Sequence, residues 1–215
     1  MKKIPTLFKR EFEDHKIVKC TSEVTEGCEW VFNEPSIATR KWDGTCVLFK
    51  DGVLWKRYDA KRGKPIPYGA VPCQEEADAV TGHFPCWVKV TDEPCDKWFR
   101  VAYENMYAHG DMLEEGKTYE LCGPHFNGNP EKFELDCFIE HGAEKIELLD
   151  RSYDAIKAYL SRTNIEGIVF YRTSKAGVNS NGEIDLTTCE KCKIKRTDFG
   201  FEWNNSTQKR NKGIK

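Results

Sequence analysis

The sequence predicts an α+β fold in which antiparallel sheets are flanked by a few helices. Short β-rich segments outnumber helical ones along the chain, and they are interspersed with helices instead of alternating strictly with them. The strongest local signal lies between Cys46 and Tyr58, where two apolar runs are joined by Asp51-Gly52. Asp-Gly between two such runs is typical of a tight β-hairpin, so this segment is predicted as two paired strands.

Three further segments are predicted as strands because they are short, apolar and β-rich: residues 117–123, 165–172 and 191–196. The last of them alternates charged and apolar residues. Since side chains on a strand point to opposite faces in turn, this alternation is typical of an edge or half-buried strand.

Two helices are predicted. The first covers residues 96–107, where apolar residues recur at helical spacing. Its stripe comprises Trp98, Phe99, Ala102 and Met106. The second begins after an N-cap at Asp150 or Ser152 and runs to Leu160. Its inward-facing residues are Tyr153, Ile156 and Leu160.

The composition of the 215 residues is 39% hydrophobic and 32% charged, which is ordinary for a folded domain. We expect one domain over residues 1–203 and a flexible basic tail over residues 204–215. A run of about 18 apolar residues, as a membrane span needs, does not occur in the sequence. The first residues mix both charge signs without an apolar stretch, so we expect no signal peptide and an intracellular protein.

The ten cysteines are scattered, and in a reducing compartment we expect free thiols. Cys189 and Cys192 form a CxxC pair. A zinc site needs a second pair or histidine partners at suitable spacing, and His83, Cys86 and Cys95 offer only a loose substitute. A structural zinc ion is therefore disfavoured.

The formal net charge of −2 argues against a dedicated nucleic-acid binder, but the basic residues are clustered. One cluster comprises Lys56, Arg57, Lys61, Arg62 and Lys64. A second, between residues 191 and 215, contains eight Lys/Arg. Two local basic clusters fit a polyanion that touches part of the surface, and solvated surface charge is the alternative.

Four short blocks carry the candidate chemistry. Lys41-Trp42-Asp43-Gly44 alone is a weak signal, because Asp-Gly is also a common turn. Three blocks follow it in order: Tyr119-Glu120-Leu121-Cys122-Gly123, Ile165-Glu166-Gly167-Ile168-Val169-Phe170 and Lys193-Ile194-Lys195. Lys193 and Lys195 project from the same face of a strand, since side chains alternate.

In order and spacing, these blocks resemble motifs I, III, IV and V of the covalent nucleotidyltransferase superfamily of DNA ligases, RNA ligases and mRNA capping enzymes. Residues 120–130 and 193–203 resemble the small RNA ligases typified by the vertebrate 5′-3′ RNA ligase. The resemblance implies a nucleotidyltransferase (adenylation) domain that uses ATP to join 5′-phosphate and 3′-hydroxyl ends of RNA, as in RNA repair. Twenty residues follow Lys195, so we expect no appended oligonucleotide-binding (OB) domain.

The resemblance implies that Lys41 is the nucleophile that forms lysyl-AMP. A lysine attacks phosphorus only when neutral, and nearby cations and partial burial lower a lysine pKa. Lys193 and Lys195 would act in this way, and they would also neutralise the α-phosphate of ATP. Glu166 resembles the carboxylate that binds Mg²⁺ or Mn²⁺; a surface glutamate is the alternative.

The resemblance also implies a set of nucleotide contacts. Glu120 would hold the ribose hydroxyls, and Arg57 resembles an arginine that contacts ribose or the RNA end. Phe138 would stack on adenine, with a core phenylalanine as the alternative. The remaining members of the nucleotide-binding set are Arg40, Asp43, Gly44, Glu166, Lys193 and Lys195. Gly44 would permit close backbone approach to the nucleotide.

Two other functions stay open from the sequence. One is a different enzyme of the same superfamily, either a GTP-using capping-type guanylyltransferase or a DNA-nick ligase. The other is a non-catalytic module that binds RNA ends. The intact set of Lys41, Glu120, Glu166, Lys193 and Lys195 argues against the second, because a binder need not keep all five.

Overall fold

The computed structural model describes residues 2–13, 16–79 and 81–203. The predicted tail over residues 204–215 lies outside them. In chain order the strands and α-helices are β1 (Phe8–Glu13), β2 (Lys16–Val24), α1 (Trp30–Asn33), β3 (Ser36–Lys41), β4 (Thr45–Lys50), β5 (Val53–Ala60), β6 (Val71–Pro72), β7 (Phe84–Lys89), α2 (Lys97–Ala108), β8 (Thr118–Cys122), β9 (Cys137–Glu140), β10 (Lys145–Ile146), α3 (Tyr153–Arg162), β11 (Gly167–Arg172) and β12 (Glu190–Lys195). Short 3₁₀ turns cover Pro94–Asp96 and Arg196–Phe199.

The strands form sheets of two, four and six members, and each pair of neighbouring strands is antiparallel. With three α-helices beside them, the chain has the α+β architecture that the sequence predicts. Across the described ranges, none of the helices has the length and apolar character that crossing a membrane requires.

The described chain divides into two compact units, where the sequence predicted one domain. The hairpin unit comprises residues 2–3 and 43–141, and the lysine unit comprises residues 4–42 and 142–203. The chain therefore passes from the lysine unit to the hairpin unit directly after Trp42, inside the first of the four blocks.

The hairpin unit is built on the six-stranded sheet, in the order β6-β7-β5-β4-β8-β9. Its β4–β5 hairpin confirms the predicted turn: Asp51 and Gly52 both have positive φ, 56° and 68°. Two consecutive positive φ angles twist the turn in the sense of the flanking strands. Val47 and Leu121 lie in the core beneath this sheet.

Helix α2 covers that core, close to its predicted bounds. Ala102 is fully buried, and Phe99 and Met106 pack against the same cluster. Trp98, predicted on the buried stripe, is 38% exposed and instead stacks on His125, with 3.4 Å between ring centroids. Trp98 is the second residue of α2, and its ring packs on His125 instead of on the core cluster.

The lysine unit contains the four-stranded sheet, in the order β10-β3-β11-β12, and the β1–β2 pair. Helix α3 packs on it as predicted. The Ser152 hydroxyl caps the helix by accepting from the Ala155 N–H at 3.3 Å, and Ile156 and Leu160 are completely buried. The side chains that one face of the sheet gives to this core are Ala38, Ile168, Phe170, Cys192 and Ile194.

The opposite face of this sheet carries the lysines. In the register of the three strands, Gly167 on the central β11 lies opposite Lys41 on β3 and Lys195 on β12. Two residues further along β11, Val169 lies opposite Lys193. Directly opposite residues in an antiparallel sheet point to the same side, so all three lysines share one face.

Gly167 is the position in this register that tolerates no side chain. A Cβ atom there would lie 2.2 Å from the carbonyl oxygen of Ile194, a backbone atom that cannot move aside. We therefore predict that Gly167→Ala lowers the free energy of unfolding by about 1 to 3 kcal/mol through overpacking. Urea denaturation measures it.

Gly177→Ala is the matched control, since a Cβ atom there meets only the Thr188 side chain at ordinary contact distances, 3.4 Å or more. Equal stability of Gly167→Ala and the wild type would contradict the close approach of β11 and β12.

Candidate functional site

The centre of the lysine unit's charged face is the carboxylate of Glu166. This residue directly precedes β11 and is 2% exposed. Its Oε2 lies 2.5 Å from Lys41 Nζ, and its Oε1 is ion-paired with Lys195 Nζ. The Lys41 ammonium group also donates to the carbonyl oxygen of Trp42 at 3.2 Å. Three residues from separate sequence blocks thus meet at one buried anion.

Lys193 belongs to the same face, and its environment differs from that of its neighbours. Burial, together with the charges of Lys41 and Lys195, lowers the pKa of Lys193 to about 7, although Glu166 acts in the opposite direction. Near neutral pH, a substantial fraction of this side chain is therefore uncharged. On the outer edge of β12, the backbone of Lys193 pairs with residues 5–7. The Lys193 N–H donates to Pro5 O (2.9 Å), and the Leu7 N–H donates to Lys193 O (2.7 Å).

Arg40 precedes Lys41 on β3, so strand alternation directs it to the other face of the sheet. Its guanidinium lies 3.5 Å from the centre of the Trp42 ring, and it is 3.6 Å from the carboxylate of Glu144. These contacts give Arg40 a structural partner on each side. A contact from Arg40 to nucleotide stays a prediction.

The hairpin unit holds a second carboxylate, Glu120 on β8. Its Oε1 accepts from the Gly44 N–H at 3.0 Å, and its Oε2 lies 3.0 Å from His141 Nε2. His141 is fixed in turn by the Thr118 hydroxyl, 2.9 Å from Nδ1. Glu120 is thus oriented by a backbone N–H and an imidazole ring, in contrast to the ammonium groups around Glu166.

Strand register decides which neighbours share the face of Glu120. Cys46 on β4 and Ile139 on β9 lie directly opposite it. Phe138 instead pairs with Leu121, on the core side of the sheet, and its ring meets Tyr119 edge to face. The structure therefore favours the core interpretation of Phe138 and places Ile139 beside Glu120; adenine stacking by Phe138 stays a prediction.

Asp43 and Gly44 shape the start of β4. Asp43 is buried, its N–H donates to Glu131 Oε1 at 3.1 Å, and its carboxylate accepts from the Asn127 amide. A Cβ atom on Gly44 would lie 2.3 Å from the carbonyl oxygen of Leu121. The absence of a side chain at Gly44 thus lets β4 approach β8, a structural need separate from the predicted approach to nucleotide.

Two members of the first basic cluster have acidic partners in the structure. Lys56 is ion-paired with the buried Asp96, and Arg57 lies 3.2 Å from Asp59. The remaining members, Lys61, Arg62 and Lys64, are exposed.

In the second basic cluster, Lys191 donates to the carbonyl oxygens of Thr187 (3.3 Å) and Cys189 (3.0 Å). Arg196 donates to the carbonyl oxygen of Thr163 at 2.6 Å. The cluster members beyond residue 203 lie outside the described part of the chain.

All ten cysteines are free thiols. Cys189 and Cys192 belong to different apolar clusters, so the CxxC does not present two thiols to one ion. Within the described ranges, a metal-capable group occurs elsewhere, at Cys46, Glu120 and His141. Cys46 and His141 were not among the predicted site residues, because their proximity to Glu120 follows from strand pairing and has no signature in the linear spacing.

No protein-family model and no curated protein matches this chain.

The low pKa of Lys193 has a measurable consequence. Between about pH 7 and pH 10 the unfolded chain holds a proton on this lysine that the folded chain has lost, so this group's contribution to stability rises with pH. We predict that the stability difference between wild type and Lys193→Gln shifts in favour of wild type across that window. Urea unfolding at several pH values measures it.

The difference in stability between the two proteins removes the contribution of the cysteine thiols, because both proteins contain them. Lys50→Gln, at an exposed lysine, is the control and should leave the difference flat. A flat profile for Lys193→Gln as well would show that Lys193 keeps an ordinary proton affinity.

Proposed function

We propose that this chain is an ATP-dependent RNA ligase that joins 5′-phosphate and 3′-hydroxyl ends through a lysyl-AMP intermediate. The observation that carries the proposal is the buried Glu166 with Lys41 and Lys195 on its two oxygens. A buried anion with a cluster of lysines on one sheet face suits the binding of a polyphosphate. An ordinary surface glutamate would need none of this arrangement.

In the proposed first step, Lys41 Nζ attacks the α-phosphorus of ATP. A P–N bond forms, the bond between the α-phosphorus and the bridging oxygen breaks, and pyrophosphate leaves with its electron pair. Lys41 must release a proton to solvent before the attack. Lys193 and Lys195 favour that loss, while the ion pair of Lys41 with Glu166 opposes it. Lys195 and the charged fraction of Lys193 would offset the negative charge that builds up on the phosphoryl oxygens.

The donor set of the lysine unit fits Mg²⁺ or Mn²⁺ only together with ATP. Glu166 supplies one carboxylate, and Mg²⁺ is commonly bound by one or two carboxylates plus substrate phosphates. Lys41, Lys193 and Lys195 surround that single anion, so the phosphate charges of ATP are needed to make a further cation favourable. When bound, the ion would supply additional charge neutralisation at the phosphates, with Glu166 as its protein ligand.

Glu120 would accept hydrogen bonds from the ribose hydroxyls of the nucleotide. Gly44 and His141 already fix its orientation, which lowers the entropic cost of that contact. The remaining members of the proposed nucleotide-binding set are Arg40, Asp43, Gly44 and Arg57.

The later steps pass AMP to RNA. The 5′-phosphate of one RNA end attacks the adenylate phosphorus, the P–N bond to Lys41 breaks, and a diphosphate-linked RNA–AMP forms. The 3′-hydroxyl of the other end then displaces AMP and forms the phosphodiester. The exposed Lys61, Arg62 and Lys64 are the side chains we propose for contacts to the RNA backbone.

The first prediction concerns the adduct. The intact mass should rise by one AMP when the chain is incubated with ATP and Mg²⁺, because Lys41 becomes a phosphoramidate. Lys41→Ala should abolish the increase, and Lys50→Ala should not. Mass spectrometry with ATP and GTP in separate reactions also tests the capping-type alternative, which requires GMP to be retained. Adduct formation on Lys41→Ala would remove the central proposal.

The second prediction concerns the substrate. RNA junctions should be sealed faster than all-DNA nicks, since a protein distinguishes the two through the 2′-hydroxyl. Gel assays with ribose or deoxyribose on either side of the junction measure this preference. Equal sealing of an all-DNA nick would favour the DNA-ligase alternative, and RNA binding without any sealing would favour the binding-module alternative.

The third prediction concerns salt. Replacing Lys61, Arg62 and Lys64 together by glutamine should reduce the slope of log affinity against log salt by about 2, as expected for three lost contacts to single-stranded RNA. RNA binding at several salt concentrations measures the slope, with Lys50→Gln as the control. An unchanged slope in the triple variant would exclude these three side chains as phosphate contacts.

A further inference from the structure

Three side chains of the hairpin unit bring different metal-binding atoms together. Cys46 on β4 lies opposite Glu120 on β8, and His141 directly follows β9. The Cys46 sulfur, a Glu120 oxygen and a His141 ring nitrogen lie within 4.8 Å of one another. Ligand atoms in a tetrahedral zinc site are about 3.3 to 3.7 Å apart, so side-chain adjustments of about 1 Å close the group around an ion.

A second observation is the support behind His141. Zinc-bound histidines usually hydrogen-bond a protein group through the other ring nitrogen, which fixes the ring and its tautomer. Here the Thr118 hydroxyl lies 2.9 Å from Nδ1, while Nε2 points at Glu120 Oε2. A hydroxyl can donate or accept, so Thr118 can hold either tautomer of His141, including the one in which Nε2 offers its lone pair to an ion.

We propose that Cys46, Glu120 and His141 bind Zn²⁺ or a similar borderline divalent ion. The donor types decide between metals, since thiolate with imidazole and carboxylate suits zinc and does not suit Mg²⁺. Three protein ligands leave the fourth position for water. This site is distinct from the Glu166 carboxylate that we propose for Mg²⁺ or Mn²⁺.

Binding requires a defined movement of protons and no change of oxidation state. The Cys46 thiol releases its proton to solvent, and the thiolate sulfur binds the ion. The proton that His141 Nε2 donates to Glu120 leaves to solvent, and Nδ1 carries the proton of the neutral ring and donates it to Thr118 Oγ1. Glu120 exchanges its contact with His141 for the ion through Oε2, and Oε1 keeps the hydrogen bond from Gly44.

One consequence rests on the proposed function, in which Glu120 holds the ribose. The ion and a ribose hydroxyl would compete for the Glu120 carboxylate. Zinc and adenylate should therefore exclude each other, and zinc should inhibit adenylation.

The primary experiment uses Co²⁺ alone as the probe on the full chain. Thiolate ligation gives cobalt a sulfur-to-metal charge-transfer band, and we expect that band in the wild type. It should be absent in Cys46→Ser and persist in Cys95→Ser, where an exposed thiol of the same unit is removed. No band in the wild type, or an unchanged band in Cys46→Ser, would overturn the site. Circular dichroism verifies that each variant is folded.

A second variant tests the support behind His141. Thr118→Val removes the hydroxyl with little change of shape and should weaken zinc binding by about 10- to 100-fold, as measured by competition with a chromophoric chelator. Binding as tight as in the wild type would overturn the orienting role of Thr118.

The exclusion is tested on chain that already carries AMP. The cobalt band should be lost on this form and return after AMP is removed with pyrophosphate. A band of equal strength on both forms would overturn the exclusion while leaving the metal site intact. If no AMP adduct forms at all, the proposed function fails, and the cobalt result on the free chain still decides the metal site.

Discussion

The rest of the lysine unit's charged face depends on the ion pairing of one buried carboxylate. Glu166 is 2% exposed, and a carboxylate so buried is costly unless cations or hydrogen bonds compensate it. Lys41 and Lys195 provide that compensation, and without Glu166 they would repel each other and Lys193. The pairing also fixes strand register, because a slip of one residue in β3 or β12 would turn its lysine toward the apolar core.

Local chemistry made part of this fold predictable. The Asp51-Gly52 turn and the Ser152 cap depend on residues within a few positions of each other, and both occur as the sequence predicts. The face of the sheet on which Phe138 lies was not predictable, because it depends on the register between β9 and β8, which are distant in sequence. Because side chains on a strand alternate between its two faces, an error of one position in the strand register moves a side chain to the opposite face of the sheet. Ile139, not Phe138, lies on the face of Glu120. The contact between His141 and Glu120 was not predictable from the sequence for the same reason.

Charge was the least predictable property from sequence. Lys56 counts as a free cation in the linear cluster, yet it is ion-paired with the buried Asp96, forty positions away. Lys193 counts as a cation in the fourth block, yet burial and like charges shift its pKa to about 7. In each case the burial and the partner that decide the charge come from tertiary packing. A cluster of basic residues in the sequence therefore sets an upper limit on the number of charges available for binding.

The two carboxylates differ in how they are held, and this difference bears on what each can do. The oxygens of Glu166 are ion-paired with ammonium groups. A polyphosphate can take over those ammonium groups, and its metal counter-ion can then bind Glu166. Glu120 is held by a backbone N–H and an imidazole ring, which fix the direction of its carboxylate. An ion-paired carboxylate suits the handling of phosphate charge, and one oriented by directional hydrogen bonds suits the recognition of a sugar. The thiol of Cys46 beside Glu120 adds a third capacity, since the geometry that prepares a carboxylate for hydroxyl groups also prepares it to share an ion with sulfur and imidazole.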